Sequence, residues 1–135
     1  MIKPGRNIIK FCVVLLAICA HLLLPASTEA ESAELYLSPS SGSFLVGSTF
    51  SISVFLNTEG NEINVVWAEL KFPPEILQVT SPTAGTSFIT EWIVPPNYSN
   101  ERGIVSFKGG IPGGITTSAG LVSSVTFRGG FFRNC

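Results

Sequence analysis

Few residues of this chain have side chains suited to catalysis or metal binding. The 135-residue sequence contains one histidine, His21, three cysteines, and no aspartate. A Ser-His-Asp or Cys-His catalytic arrangement needs a histidine beside its nucleophile, and zinc needs several histidine, cysteine or carboxylate ligands. His21 lies in an apolar stretch near the N-terminus. The sequence therefore predicts neither kind of site, and no metal or other cofactor is expected.

The remaining candidates for chemistry are glutamates and a glycine-rich run. Two carboxylates can hydrolyse a glycosidic bond, but the glutamates here are scattered, which is typical of solvated surface positions. The run GGIPGG (109–114) resembles a phosphate-binding loop, yet it lacks the lysine and the following helix of a P-loop. Glycine suits turns because it readily adopts positive φ. We therefore predict a loop over 109–120 and a protein that is not an enzyme.

The first thirty residues have the pattern of a secretory signal peptide. Lys3, Arg6 and Lys10 precede an apolar stretch over 11–25, and small residues lead to a cleavage site after Ala30. The apolar stretch is short for a membrane span, so we expect a signal helix, an extracellular protein, secreted or associated with the cell surface, and no integral membrane segment after signal removal. Cys19 offers an alternative lipidation site, although the bulky Ile18 precedes it.

Charge and cysteine content restrict the partners of the segment 31–135. It carries eight glutamates and five basic residues without charge runs, so nucleic acid and anionic lipid are not expected partners. Cys135 is its only cysteine, which excludes a disulfide within this segment.

The stretch NVVWAELKFPPEIL (64–77) places a large aromatic side chain in an unusual position. Successive side chains of a strand point to opposite faces, so an inward row of Ala68, Leu70 and Phe72 leaves Trp67, Glu69 and Lys71 facing solvent. Exposed aromatics flanked by charge are typical anchors of protein interfaces. We therefore predict Trp67, Glu69 and Lys71 as the candidate partner-binding residues.

Two other interpretations of this tryptophan remain open. Trp67 can pack under a neighbouring loop or against an aromatic on the same face, such as Tyr98. Alternatively, Trp67, Trp92 and Tyr98 can form stacking platforms for sugar rings, as in a carbohydrate-binding module. Sugar platforms require coplanar aromatics, which sequence spacing does not establish.

The elements that position these residues are strands. Short runs with period-two alternation are separated by Gly, Pro, Ser and Asn, and they cover 34–38, 49–56, 63–72, 76–81, 87–94, 103–110 and 121–127. Seven such runs predict an all-β, antiparallel β-sandwich. The residues predicted to face its interior are Leu35, Leu37, Phe50, Ile52, Val54, Ala68, Leu70, Phe72, Leu77, Val79, Phe107, Leu121, Val125 and Phe127.

The order of these motifs resembles the bacterial cohesin module, a relative of the carbohydrate-binding module sandwich. The similarity runs from Ala33 to Arg128 and rests on PSSGSFLVG (39–47), on a strand closing with Phe-Pro-Pro where the family usually has Tyr-Asp-Pro, and on the glycine-rich run before AGLVSSVTFR (119–128). The resemblance implies a jelly-roll sandwich of nine strands. Because the chain ends shortly after this motif, we expect a domain over 31–135 that lacks its last strand or strands.

The resemblance also implies a function. Cohesins dock a dockerin module on one flat sheet face and so assemble enzymes that degrade polysaccharides. The expectation is a secreted, non-catalytic binding module whose partner is a dockerin-like protein module or a polysaccharide. A carbohydrate-binding module, or a structural β-sandwich repeat of a surface protein, is the alternative.

Overall fold

The computed structural model describes residues 32–130, which form seven β-strands. These are β1 (Glu34–Ser38), β2 (Thr49–Asn57), β3 (Ile63–Lys71), β4 (Leu77–Thr83), β5 (Glu91–Ser99), β6 (Ile104–Ile115) and β7 (Gly120–Gly129). Over this range no helix is long and apolar enough to cross a membrane. The predicted signal peptide, its cleavage site at Ala30, Cys19 and residues 131–135 lie outside the described part of the chain.

The strands form two antiparallel sheets, in the orders β1-β2-β7-β4 and β3-β6-β5. The chain passes from one sheet to the other at every connection except β1–β2 and β5–β6. Buried side chains of both sheets meet in two clusters, one around Phe107 and one around Phe127. The predicted antiparallel β-sandwich is therefore confirmed.

The alternation of apolar and polar residues along the strands correctly predicts many of the residues that face the interior. Of the residues predicted to face inward, six are buried: Val54, Phe72, Val79, Phe107, Val125 and Phe127. Five more are partly buried and packed against the two clusters: Phe50, Ile52, Ala68, Leu70 and Leu77. A fully buried large apolar side chain stabilises the fold by about 1.5–3 kcal/mol, so these rows hold the sheets together.

Leu35 and Leu37 face the interior as predicted, since they lie opposite the buried Leu56 and Val54, but they are not enclosed by the core. Both line spaces between the sheets, yet they remain 38% and 40% exposed. The reason is that β1 is an edge strand. Its inward side chains reach the margin of the sandwich, where no further strand among residues 32–130 covers them.

The prediction for Leu121 was wrong, because β7 contains a bulge. Val54 pairs with Ser123 and Phe55 pairs with Leu121, which leaves Val122 as an extra residue. An extra residue reverses the alternation beyond it. Consequently Val122 is completely buried while Leu121 is only half-buried.

Two strands continue through residues that were expected to end them. β5 runs through Pro95 and Pro96, and its pairing with β6 is irregular between Val94 and Asn97. Prolines are tolerated at edge strands and bulges, and β5 is an edge strand. The predicted glycine-rich loop is also shorter than expected, since β6 extends to Ile115.

Gly109 shows why glycine occupies a strand here. It lies in β6 opposite Val66 and Trp92, on the inner face of the sheet. A Cβ atom at this position would overlap the side chain of Ile89, which is buried in the core. The missing side chain of Gly109 therefore leaves the space that Ile89 fills.

The two lateral sides of the sandwich differ. On the side of β4 and β5, Asn100 links the sheets: its side chain accepts a hydrogen bond from the Val79 amide at 2.7 Å and donates one to the Val79 carbonyl at 3.0 Å. On the side of β1 and β3, an apolar cavity of about 160 Å³ lies between the sheets and is lined by Leu37, Leu70 and Lys71, among others. The sandwich is thus closed on one side and open on the other.

Candidate docking surface

β3 presents opposite kinds of side chain on its two faces. Val66 is buried, and Ala68 and Leu70 are partly buried against the core. Trp67, Glu69 and Lys71 are exposed, and Trp67 is 75% exposed. The structure therefore places the three candidate partner-binding residues in one outward row. The alternative in which a loop covers Trp67 was wrong.

Strand register extends this row across the whole outer face of the three-stranded sheet. Trp67 lies opposite Lys108 of β6, which in turn lies opposite Val94 of β5. The next residues across the sheet are Glu69, Ser106 and Asn97; the Ser106 hydroxyl donates a hydrogen bond to the Asn97 side-chain oxygen at 3.2 Å. We call this outward surface of β3, β6 and β5 the Trp67 face.

The hydrogen-bond pattern between β3 and β6 shows which residue of β6 lies closest to the Trp67 indole. The Phe72 amide donates to the Gly103 carbonyl at 2.8 Å. Because bonded and non-bonded pairs alternate along an antiparallel ladder, Leu70, Ala68 and Val66 also bond to β6, and Trp67 and Lys108 form a non-bonded pair. Side chains approach each other most closely in such pairs. The half-buried Lys108 is therefore the neighbour of the indole on the central strand of this sheet.

The structure does not bring the three candidate sugar-stacking aromatics to one face. Trp92 pairs with Gly109 and points inward, where it meets the ring of Phe107 edge-on at 6.4 Å and 89°. Tyr98 pairs with the buried Val105 and lies 43% exposed at the margin of the sheet. Only Trp67 is on the outer face, so these three rings do not form a flat platform.

The outer face of the other sheet has a different character. Its hydroxyls pair across the strands, with Ser51 2.9 Å from Thr126 and Ser53 3.1 Å from Ser124. Tyr36 stacks on a neighbouring ring, that of Phe55, at 5.6 Å. These side chains are engaged within the chain, whereas the indole of Trp67 is largely free to meet a partner.

A second apolar patch lies in the segment before β2. Leu45 is 82% exposed and Val46 54% exposed, and both line a shallow groove with Ile76. Phe44, in contrast, stacks on Phe50 at 3.7 Å. This patch belongs to a connecting segment, while the Trp67 face is formed by three hydrogen-bonded strands.

Sequence reasoning found the β3 residues of the Trp67 face and missed those of β5 and β6. Alternation within one strand predicts which side chains share its face. It does not predict that Lys108 and Val94 lie beside Trp67, because that depends on register between strands far apart in sequence. Within residues 32–130 no three His, Cys, Asp or Glu side chains are grouped to hold a metal ion.

Comparison with known proteins gives structural neighbours only. No protein-family model matches the sequence, and no curated protein matches it. One similar structure is the third cohesin of ScaC in complex with the ScaB dockerin from Acetivibrio cellulolyticus, with 21% identity, a TM-score of 0.47, and coverage of 63% of this chain and 62% of the matched chain. The chain thus spans less than two thirds of that structure.

Another similar structure is a type II cohesin–X-dockerin complex from the same organism, with 15% identity, a TM-score of 0.48, and coverage of 73% of this chain and 70% of the matched chain. Both are structures of cohesin complexes. The likeness is one of fold.

Proposed function

We propose that this chain is a non-catalytic binding module that docks a partner protein through the Trp67 face. The observation that carries the proposal is the 75% exposure of Trp67 on a regular sheet face. Binding energy at protein interfaces is concentrated in a few residues, and tryptophan is among the most frequent of these. An indole on a rigid strand also loses little conformational freedom when it binds.

The side chains around Trp67 define what the partner must offer. Lys71 and Lys108 are cationic, and Glu69 lies two residues from Trp67 on the same strand. A matching surface has an apolar pocket for the indole, an acidic group for the lysines and a basic group for Glu69. Both charge signs occur close together, which favours a partner with a specific surface over a uniformly charged polymer.

The sequence resemblance makes a dockerin-like module the partner to test. Cohesins usually carry acidic or asparagine residues on the outward side of this strand, whereas this chain has Trp67 there and Pro73 in place of the usual aspartate. The expected partner therefore contacts the indole with apolar side chains, in place of the polar contacts typical of the family.

The proposed setting is extracellular assembly linked to polysaccharide binding and degradation. It rests on the signal-peptide pattern of residues 1–30 and on the resemblance to cohesins. A direct carbohydrate-binding role has less support, because Trp92 lies inside the sandwich and Trp67 has no second candidate aromatic on its face.

Affinity capture tests the proposal. The immobilised protein is exposed to secreted proteins of its own organism and, separately, to polysaccharides. We expect a protein partner that Trp67→Ala loses and Tyr36→Ala retains, since Tyr36 lies on the other sheet's outer face. Retention on a polysaccharide that Trp67→Ala abolishes and Tyr36→Ala leaves intact, with no protein captured, would instead establish sugar binding.

A further inference from the structure

The Trp67 face carries charged side chains whose signs alternate. The strands β3, β6 and β5 contain four charged residues, and the strand register places all of them on this outer face: Lys71, Glu69, Lys108 and Glu91. Glu91 lies opposite Gly110 of β6, one row from Lys108. In this order the four residues form a line that crosses the face obliquely, with the signs plus, minus, plus, minus. None of them forms an ion pair within residues 32–130.

The four charged residues are spaced almost evenly along this line. Cα atoms two residues apart in a strand are separated by about 7 Å, and neighbouring strands by about 4.8 Å. Lys71 and Glu69 are two residues apart in β3. Each further step, from Glu69 to Lys108 and from Lys108 to Glu91, crosses one row and one strand, which is about 8 Å. An evenly spaced line of alternating charges matches its own opposite when it is turned end for end. The Trp67 face is therefore complementary in charge to itself.

We propose that this face docks on the same face of a second copy of the chain, about a two-fold axis that passes between Glu69 and Lys108. The axis lies in the plane of contact and turns the line of charges end for end. Glu69 then meets Lys108 of the second copy, and Lys71 meets its Glu91. The symmetry repeats both contacts, so each charge of the face meets an opposite charge of the other copy.

The same axis brings the two indoles together. Trp67 lies opposite Lys108. In the next row Glu69 lies opposite Ser106. The line from Glu69 to Lys108 is one diagonal of this group of four, and the axis runs close to the other diagonal, from Trp67 to Ser106. A side chain beside a two-fold axis meets its own copy. Trp67, which is exposed in the single chain, therefore stacks on Trp67 of the second copy.

The area of the Trp67 face indicates a weak dimer. The face spans three strands and four rows of residues, about 14 Å by 27 Å, or roughly 400 Å² on each chain. Stable interfaces bury about 800 Å² on each partner, so this dimer is expected to dissociate readily. A partner protein that binds the same face more tightly displaces the second copy. This competition rests on the proposed function, whereas the dimer itself does not.

Charge-swapped variants of the full chain test the pairing. Glu69→Lys alone and Lys108→Glu alone each place like charges opposite each other twice in a dimer. Sedimentation equilibrium in reducing buffer at low salt should show a dimer for the natural sequence, with a dissociation constant about tenfold higher for each variant. An equimolar mixture of the two variants should dimerise about as well as the natural sequence, because the two substituted residues then meet each other across the axis.

The mixture of Glu69→Lys with Lys71→Glu is the matched control. It combines the same two changes of charge, but in the proposed dimer one like-charged pair of each sign remains. Its dissociation constant should therefore stay about as high as that of either variant alone. Equal dissociation constants for the two mixtures, or a natural chain that remains monomeric at about 1 mM, would overturn the proposal. A monomeric chain that still captures a partner through Trp67 would refute the dimer and leave the proposed function standing.

Discussion

Replacing either tryptophan by alanine distinguishes a surface side chain from a packing side chain. Trp67 is 75% exposed and buries about a quarter of its area. An aromatic side chain buries about 150–250 Å² when fully enclosed. A quarter of this area at about 25 cal/mol per Å² gives a loss of about 1 kcal/mol in the free energy of unfolding for Trp67→Ala. Trp92 packs against the core and meets Phe107 edge-on, so Trp92→Ala should cost about 3 kcal/mol.

The assay is urea unfolding followed by far-ultraviolet circular dichroism, with the midpoint and the slope fitted for each protein. We expect the Trp92→Ala midpoint to fall well below that of Trp67→Ala, with similar slopes. Equal losses for the two variants would refute the orientation of β3, because they would mean that Trp67 is packed as tightly as Trp92.

Two further substitutions test the interior. Gly109→Ala should lower the free energy of unfolding by about 1–3 kcal/mol, because the added Cβ overlaps Ile89. The control Gly110→Ala should change the free energy of unfolding little, because the nearest neighbour of its Cβ lies at 3.8 Å. Equal unfolding midpoints for the two variants would contradict the packing around Gly109. Asn100→Ala leaves the Val79 amide and carbonyl without the side-chain partner that links the sheets, and should cost about 1–3 kcal/mol. Faster amide hydrogen exchange at Val79 in this variant checks the mechanism, and unchanged exchange would exclude it.

Much of the sandwich could be predicted because period-two alternation is a local property. The bounds of β1 are as expected, and the outward position of Trp67 follows from the inward positions of Ala68 and Leu70. These features depend only on neighbours two residues apart. The same local reasoning predicted the composition of the core rows, in which Phe107 and Val125 are almost completely buried.

The mispredicted strand bounds and side-chain orientations occur where pairing with a distant part of the chain determines the local structure. The bulge at Val122 is defined by pairing with β2, some seventy residues earlier, and it moves Leu121 out of phase. The continuation of β5 through Pro95 is tolerated only because β5 is an edge, which depends on sheet order. The exposure of Leu37 has the same origin. For the Trp67 face, the alternation within β3 identified the residues of that strand. The residues of β6 and β5 could be added only from the register between the strands.

The proposed function depends on Trp67 as the anchor of a docking surface. The most direct measurement is a calorimetric titration of the captured partner into three proteins: the natural sequence, Trp67→Ala and Tyr36→Ala. An anchor residue contributes at least about 2 kcal/mol to binding, so Trp67→Ala should weaken binding by about thirtyfold or more, and Tyr36→Ala should leave it unchanged. Equal affinity of the natural protein and Trp67→Ala, or a selective loss in Tyr36→Ala, would contradict the account.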